Sequence, residues 1–342
     1  MTKPFAWALV GPGSIAHRFA QAVHQLPDTY LHTVVGRNVD KAHAFAATWS
    51  RDGAPVPHVT QDLATALRDP AIDAVYIATP HAHHGEVVRQ CVLAGKPVLC
   101  EKPLVPTAQQ AHALVDLARA QGVFLMEALW SRFLPIYGVV ADWLQSGAIG
   151  PVHAVQSSFC FSADYDPNSR LFNPALAGGS LLDIGIYNLA LSRWALQHSP
   201  GAAGHCPEPL HLHAHGVLAP TGVDQRVTAS LTFPGGVSVQ MLCGFDTTSG
   251  NSLHILGAQG AVTLPQNFWQ ATEAVLLRKG EPPNTQHAPF AINGFEGEIA
   301  EVMRCVRAGL TESPRMPHNE TLALITWMDA IRAQVGVRYP FD

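Results

Sequence analysis

The sequence predicts an α/β chain in which a doubly wound parallel sheet is followed by an α/β domain with a mostly antiparallel open sheet. Three observations predict it. Strands alternate with amphipathic helices through the first 130 residues, the pattern of βαβ units. A glycine-rich turn, Gly11-Pro12-Gly13-Ser14-Ile15-Ala16, follows the first strand directly. From Arg226 the pattern changes to strand, tight turn, strand, which marks antiparallel pairing. At 342 residues the chain exceeds one typical core, so two domains are expected, over residues 1–130 and 131–342.

Composition excludes several classes. With 47% apolar and 14% charged residues, the chain can bury a core and is not a disordered segment. The net charge is −5 and no Lys/Arg run exceeds two residues, so no nucleic-acid partner is expected. No apolar run approaches the roughly 20 residues of a membrane span, so no membrane partner is expected either. The apolar start meets a glycine turn too soon for a signal peptide. Cys91, Cys100, Cys160, Cys206, Cys243 and Cys305 form no C-x-x-C and sit mostly in apolar contexts. Reduced, buried thiols and a cytoplasmic location follow as expectations.

Taken in order, Phe5–Val10 reads as a short buried strand, and the turn after it is G-x-G-x-x-A, the Rossmann dinucleotide fingerprint. Gly11 supplies the tight turn, and Gly13 lets the backbone approach a pyrophosphate. Ala16 lets the following helix, running to about Leu26, pack on the strand. Pro12, Ser14 and Ile15 complete this cofactor-binding turn. The second strand, Leu31–Gly36, lacks the terminal acid that would hold a ribose 2′-hydroxyl. It ends in Gly36-Arg37-Asn38, with Lys41 one turn on. A guanidinium can pair with a 2′-phosphate, so NADP is the expected cofactor, with NAD the other option. A helix to about Ser50, a Pro/Gly loop over 52–57 and a short helix near Asp62–Arg68 come next.

Ala74–Ala78 is a strand closed by Thr79-Pro80, and His81-Ala82-His83-His84 opens the helix after it. No Cys or carboxylate has ligand spacing with these histidines, so no metal is expected. His81 and His84 are placed beside the nicotinamide ribose instead. Val98-Leu99-Cys100-Glu101-Lys102-Pro103 is a buried strand that delivers a carboxylate and an ammonium to the rim of the sheet, where ligands of open α/β sheets bind. A Thr107…Gln110 capping box then opens a helix, and Val123–Glu127 is the last strand of this half.

In the second half a helix ends near Gly147, and Val152–Phe161 is a long strand. Gly178-Gly179 precedes an apolar helix reaching about Leu196. Within it Asp183 and Tyr187 stand at i and i+4 and share a face. A carboxylate and a phenol in an apolar helix need each other or a polar cavity. Arg226–Phe233 with Val237–Cys243, and Ser252–Leu256 with Ala261–Leu264, read as hairpins. His211, His213 and His215 alternate onto one face of an exposed or interface strand. Gly294–Ala308 and Glu320–Gln334 are amphipathic helices. The sheet over 208–278 needs a cover for its second face, with Val227, Leu231, Val239 and Leu242 as its apolar positions. A homodimer or dimer of dimers is therefore expected.

The Gly11–Ala16 turn, the run from Ala78 to His84 and the run from Ala94 to Pro103 together resemble the Gfo/Idh/MocA oxidoreductase family. Met126–Phe133 and Gly178–Tyr187 are similar to its dihydrodiol dehydrogenase and NADP-dependent xylose dehydrogenase branch, where Tyr replaces the His of much of the wider family. The resemblance implies a Rossmann domain joined to a mostly antiparallel α/β domain, acting on sugars, inositols and related polyols. It places Lys102 beside nicotinamide and substrate hydroxyl, with Glu101 among the cofactor contacts. The expected activity is NADP-linked hydride transfer at a secondary or hemiacetal hydroxyl of a cyclic sugar, polyol or trans-dihydrodiol. Tyr187 is then the acid/base group, Lys102 its electrostatic partner and Asp183 a second hydroxyl ligand. Thr79 and Pro80 join the cofactor contacts, and Trp130, Arg132 and Phe159 line the substrate. A non-catalytic dinucleotide-dependent sugar sensor and a keto-sugar reductase are the alternatives.

Overall fold

A computed structural model describes residues 3–50 and 56–342. The loop expected over 52–57 falls outside the described residues up to residue 55. The chain divides into two compact units, Met1–Trp130 with Ala291–Ile325, and Ser131–Phe290 with Thr326–Asp342.

The first unit holds six parallel strands, β1 Phe5–Val10, β2 Thr29–Val35, β3 His58–Thr60, β4 Ala74–Ile77, β5 Val98–Glu101 and β6 Leu125–Ala128. Their order is β3-β2-β1-β4-β5-β6, so the winding reverses between β1 and β4. Helices α1 Ser14–Gln25, α2 Val39–Thr48, α3 Leu63–Leu67, α4 His84–Leu93 and α5 Ala108–Gln121 connect them. Each β1 residue is buried because helices cover both faces of a parallel sheet. On α1, Ala16, Phe19, Ala20 and Val23 recur at helical spacing and are buried. Half of the expected capping box forms, since Thr107 Oγ1 accepts the Gln110 N–H at 3.3 Å.

The return of Ala291–Ile325 to this unit differs from the expectation that everything after residue 130 belongs to the second domain. The reason is a set of polar latches. Asn293 Nδ2 donates to the Arg18 carbonyl at 2.8 Å and to Gln21 at 2.9 Å, and Arg18 donates to the Asn293 carbonyl at 2.6 Å. The Leu125 N–H donates to the Thr311 carbonyl at 3.1 Å, and a His318 ring nitrogen lies 2.9 Å from the Leu125 carbonyl, so the outer edge of β6 is covered. Helix α8 Glu296–Arg307 lies wholly in this unit, whereas α9 His318–Val335 contributes residues to both.

The second unit adds α6 Pro135–Gln145, β7 Val152–Cys160, α7 Ile186–Gln197, β8 His211–Leu218, β9 Asp224–Thr232, β10 Ser238–Gly244, β11 Leu253–Gly257, β12 Gly260–Leu264, β13 Glu273–Arg278 and β14 Asn284–His287. Its eight strands run β14-β13-β12-β11-β7-β10-β9-β8, antiparallel except for the β7–β10 pair. The segment Pro174–Gln197 is long and apolar enough to cross a bilayer, contrary to the sequence expectation, yet 89% of its most apolar window is buried inside the unit. It is a core helix.

One face of this sheet packs against α7 and the other is open. Val227, Leu231 and Val239, expected on the open face, are 0% exposed. The register gives the reason. Val239 pairs with Leu231 and Cys243 with Val227 on the covered side, whereas Gln240 pairs with Ser230 and Leu242 with Thr228 on the other. The open face carries a hollow of about 610 Å³ lined by Gln156, His213, Ala214, Gln240, Leu242 and His254 among others. Of the four expected positions, only Leu242 lines that hollow. All six cysteines are buried and free of disulfides.

Candidate active site

In the first unit the site begins where β1 ends. Gly11 has φ +90°, and a Cβ there would stand 2.9 Å from the Ala78 carbonyl and the Thr79 nitrogen. No side chain fits, so Gly11 lets the crevice between β1 and β4 form. Gly13 caps α1 and a Cβ on it would meet nothing within 4 Å. No side chain caps the helix and no acid occupies its first turn, which leaves its amino-terminal N–H groups for an anion. Pro12 packs against Gly36, Ala16 is 0% exposed, and Ser14 and Ile15 lie exposed beside the open cap. Thr79 Oγ1 is buried without a hydrogen-bond partner among the described residues. An open glycine cradle and a free helix cap at the end of β1, with an orphaned hydroxyl at the end of the neighbouring β4, fit a dinucleotide pyrophosphate.

At the end of β2, Arg37 is exposed and makes no ion pair among the described residues. Its carbonyl accepts Gln61 Nε2 at 2.8 Å. Asn38, expected as a cofactor contact, caps α2 by accepting the Lys41 N–H at 2.9 Å. Pro80 and the half-buried His81 begin the short turn before α4. His84 departs from expectation, being 0% exposed. One ring nitrogen lies 2.9 Å from the Pro103 carbonyl and the other 2.8 Å from the Thr79 carbonyl. It is a strut between two turns, and burial lowers its pKa.

Glu101 ends β5 at 6% exposure, with Tyr76 donating to it at 2.6 Å. Burial raises its pKa, against the pull of Tyr76 and Lys102. Lys102 follows, half-buried, and its peptide to Pro103 is cis. Trp130 is 3% exposed, with the Arg18 guanidinium 4.7 Å over its ring and Phe295 5.2 Å away.

In the second unit, Asp183 and Tyr187 are each 6% exposed. They do not share an unbroken α-helix, because Leu181–Gly185 is a π turn preceding α7. Such widened turns occur often at functional sites. Asp224 anchors this one, accepting the Leu181 N–H at 2.6 Å and the Ser180 hydroxyl at 2.8 Å. Gly179, at φ +122°, is required because a Cβ there would sit 2.3 Å from Asp224. Arg170, which the sequence reading missed, donates to Asp183 at 2.9 Å.

Phe159 lies 5.9 Å from the Tyr187 ring and stacks on Trp269 at 3.4 Å and 7°. Trp269 was also missed. Its only sequence signal is an aromatic pair after Asn267, a residue the structure holds at φ +44°. Tyr137 donates to the Phe268 carbonyl at 2.7 Å and Ser131 donates to that of Trp269, which fix the turn. Arg132 is not at this place. Its guanidinium bonds to Gln197 at 3.1 Å, at the far end of α7, about 15 Å of helix beyond Tyr187.

Two outcomes test this geometry. Gly13→Ala should leave thermal stability nearly unchanged and weaken dinucleotide binding in a fluorescence titration, whereas Gly11→Ala should lower stability itself. Equal stability losses would contradict the open cradle. The second concerns Asp224, which burial raises from 3.8 to about 6 against the hydrogen bonds from Leu181 and Ser180. A carboxyl with a raised folded pKa binds its proton more tightly in the native state. Its contribution to stability is full below about 3.8 and is lost as pH rises to about 6. Asp224→Asn should flatten that span of the stability profile measured by thermal unfolding; an unchanged slope would mean that another group titrates there.

The chain is similar to known proteins. The model of the oxidoreductase family with NAD-binding Rossmann fold, GFO/IDH/MocA, matches residues 5–129, and that of the GFO/IDH/MocA C-terminal domain matches 137–263. The trans-1,2-dihydrobenzene-1,2-diol dehydrogenase of Mus musculus is 34% identical over 343 residues, covering 98% of each chain. That of Homo sapiens is 31% identical over 345 residues, also with 98% coverage of each. Among solved structures, an aldose-aldose oxidoreductase from Caulobacter crescentus superposes with a TM-score of 0.85 at 24% identity, covering 98% of both chains, a likeness of fold. A 3-ketoreductase from Actinomadura kijaniata, solved with NADP and TDP-benzene, gives a TM-score of 0.83 at 25% identity, covering 97% of this chain and 98% of its own. The chain belongs to the Gfo/Idh/MocA oxidoreductase family, and its first unit is that family's NAD-binding Rossmann domain.

Proposed function

We propose that the protein transfers a hydride reversibly between NADP and a secondary or hemiacetal hydroxyl of a cyclic sugar, polyol or trans-dihydrodiol. The observation that carries this reading is the stacked Phe159–Trp269 pair beside Tyr187. A flat apolar wall next to a phenol suits a ring that carries a reacting hydroxyl. The full-length likeness to trans-dihydrodiol dehydrogenases supports the same substrate class.

When bound, the nicotinamide accepts or returns the hydride. The chain's own groups manage the proton. A free phenol, with a pKa of about 10, is a poor base at neutral pH. A positive charge acting on the same hydroxyl favours the phenolate and an alkoxide-like transition state. Tyr187 is the acid/base group in this reading, and Lys102 supplies the charge. Asp183, held by Arg170, is an acceptor for a neighbouring hydroxyl. Arg37 selects NADP, because a guanidinium at the end of β2 suits a 2′-phosphate and no carboxylate there suits a bare ribose.

Arg37→Ala should weaken NADP binding far more than NAD binding. Loss of a charge-assisted bond worth about 1.5–3 kcal/mol corresponds to roughly tenfold or more. Equal losses measured by titration with both cofactors would remove Arg37 from the 2′-phosphate. For the chemistry, Tyr187→Phe should leave NADP binding nearly intact and cut kcat by about 10²–10⁴-fold. Lys102→Met should be at least as severe, and the double variant little worse than either, since residues acting as a unit are non-additive. A turnover screen of aldoses, inositols, keto-sugars and dihydrodiols supplies the substrate for these measurements. Near-normal turnover by Tyr187→Phe would return the phenol to a structural role, and no turnover of any substrate by the unaltered protein would favour the sensor.

A further inference from the structure

The second unit holds Asp183 inside a closed frame of hydrogen bonds. Asp183 lies in the π turn Leu181–Gly185, with its side chain 8% exposed. Arg170, 13 residues earlier, donates to it at 2.9 Å, yet keeps its own side chain 59% exposed. An ion pair with one member so open to solvent adds little to stability. The backbone beside Arg170 is nevertheless pinned on both sides. The Ser169 carbonyl accepts the N–H groups of Phe172 and Asn173 at 3.2 and 3.0 Å, and the Leu171 carbonyl accepts the Gly179 N–H at 2.9 Å. The Gly179 carbonyl in turn accepts the Asp183 N–H at 3.2 Å, which links the loop to the turn. A Cβ on Gly178 would stand 2.7 Å from the Leu171 carbonyl, so the loop comes this close only past a glycine. Phe172, 0% exposed, anchors the loop, with Tyr165 5.2 Å and Phe245 5.7 Å away. The Arg170–Asp183 bond closes the frame.

So much fixing of an exposed arginine serves the carboxylate that it holds. A carboxylate is an acceptor only, and its two oxygens have room for several donors. A charge-assisted bond from a guanidinium sets the direction in which such a group faces. Asp183 and Tyr187 stand on successive turns of one helical segment, a spacing that stacks side chains one above the other. Neighbouring hydroxyls of one ring can therefore meet the phenol and the carboxylate together. A ring without the second hydroxyl leaves a desolvated acceptor without its donor, which is the strongest form of discrimination a polar site offers.

We propose that Arg170 is a specificity-determining residue: by fixing Asp183 as an acceptor, it makes the site select a ring with a hydroxyl next to the reacting one, a vicinal diol, over a ring with a lone alcohol. In the reverse direction the same pair selects an α-hydroxy ketone. Arg170 acts through Asp183 and is a positioning residue, an inference that rests on the reading of Tyr187 as the group at the reacting hydroxyl.

The test uses the full chain and two pairs of compounds, trans-cyclohexane-1,2-diol against cyclohexanol and D-glucose against 2-deoxy-D-glucose. Calorimetry on the protein loaded with reduced dinucleotide, where no oxidation occurs, gives Kd, and turnover with oxidised dinucleotide gives kcat/KM. In at least one pair the unaltered protein should prefer the diol by roughly 10- to 100-fold in Kd. Arg170→Met should lower that preference by roughly tenfold, by weakening the diol and leaving the mono-alcohol constants nearly unchanged. Arg170→Lys, which keeps the charge, should retain part of it. On an Asp183→Ala background Arg170→Met should change neither constant further, as expected of a residue that acts through another. A merely structural role would weaken both compounds alike. Equal losses for the two compounds, an undiminished preference in Arg170→Met, a further loss on the Asp183→Ala background, or no diol preference in either pair would overturn the proposal. If Arg170→Met does not fold, Arg170→Gln carries the same expectation. A failure of the Tyr187 reading shows separately, as turnover retained by Tyr187→Phe while the Kd preference and its dependence on Arg170 persist.

Discussion

At the ends of β1 and β4 two backbones approach so closely that residue 11 can carry no side chain. A Cβ there would sit 2.9 Å from the Ala78 carbonyl and from the Thr79 nitrogen. The sheet's winding reverses at this place, where ligands of open α/β sheets bind. With the strands in position, the cap N–H groups face open space at Gly13, and the Thr79 hydroxyl has no hydrogen-bond partner among the described residues. His84 then braces the Thr79 turn against the Pro103 turn through both ring nitrogens. The ammonium of Lys102 is consequently mounted on a strand end supported from beneath.

The second unit meets a comparable demand by other means. A helix that must present Asp183 and Tyr187 starts from a glycine pair, and a buried carboxylate, Asp224, does the work of an N-cap from another strand. Tyr339 donates to the Gly178 carbonyl at 2.6 Å, which fixes the pair from the carboxyl-terminal end of the chain. Gly185 lets the widened turn lie against β10, since a Cβ there would meet Cys243 at 2.9 Å. The amino end of the turn is thus tied by Asp224 and Tyr339.

Four buried carboxyls show how donors decide what an acid does. Glu127, 1% exposed, accepts the Leu104 N–H at 2.7 Å and the Thr321 hydroxyl at 2.9 Å, and serves as a structural tie. Asp224 also has two donors but is fully desolvated, and its pKa rises to about 6. Glu101 accepts from the Tyr76 hydroxyl and from the Lys102 backbone N–H, and two cations act on it. Glu298 has no donor among the described residues.

Local pattern was sufficient for much of this protein. The strand before Gly11, the helix after it, the carboxyl-terminal placement of Lys102 and the hairpins of the second sheet depend on spacings of a few residues, and the structure reproduces them. Arg37 at the end of β2 was legible for the same reason. Contacts between distant stretches were not. The return of α8 to the first unit depends on Asn293 meeting α1 about 270 residues away in sequence, and no periodicity records that. Trp269 joins Phe159 only because the sheet brings a turn and a strand together, Arg132 leaves Tyr187 because α7 carries its partner away, and Val227, Leu231 and Val239 face inward because α7 covers their side of the sheet. The sequence by itself determined which segments are strands and helices and which of them end in charge, since those depend on local sterics and short-range periodicity. Only the tertiary structure decided which buried acids find donors and which aromatic rings meet, because both depend on contacts made across the chain.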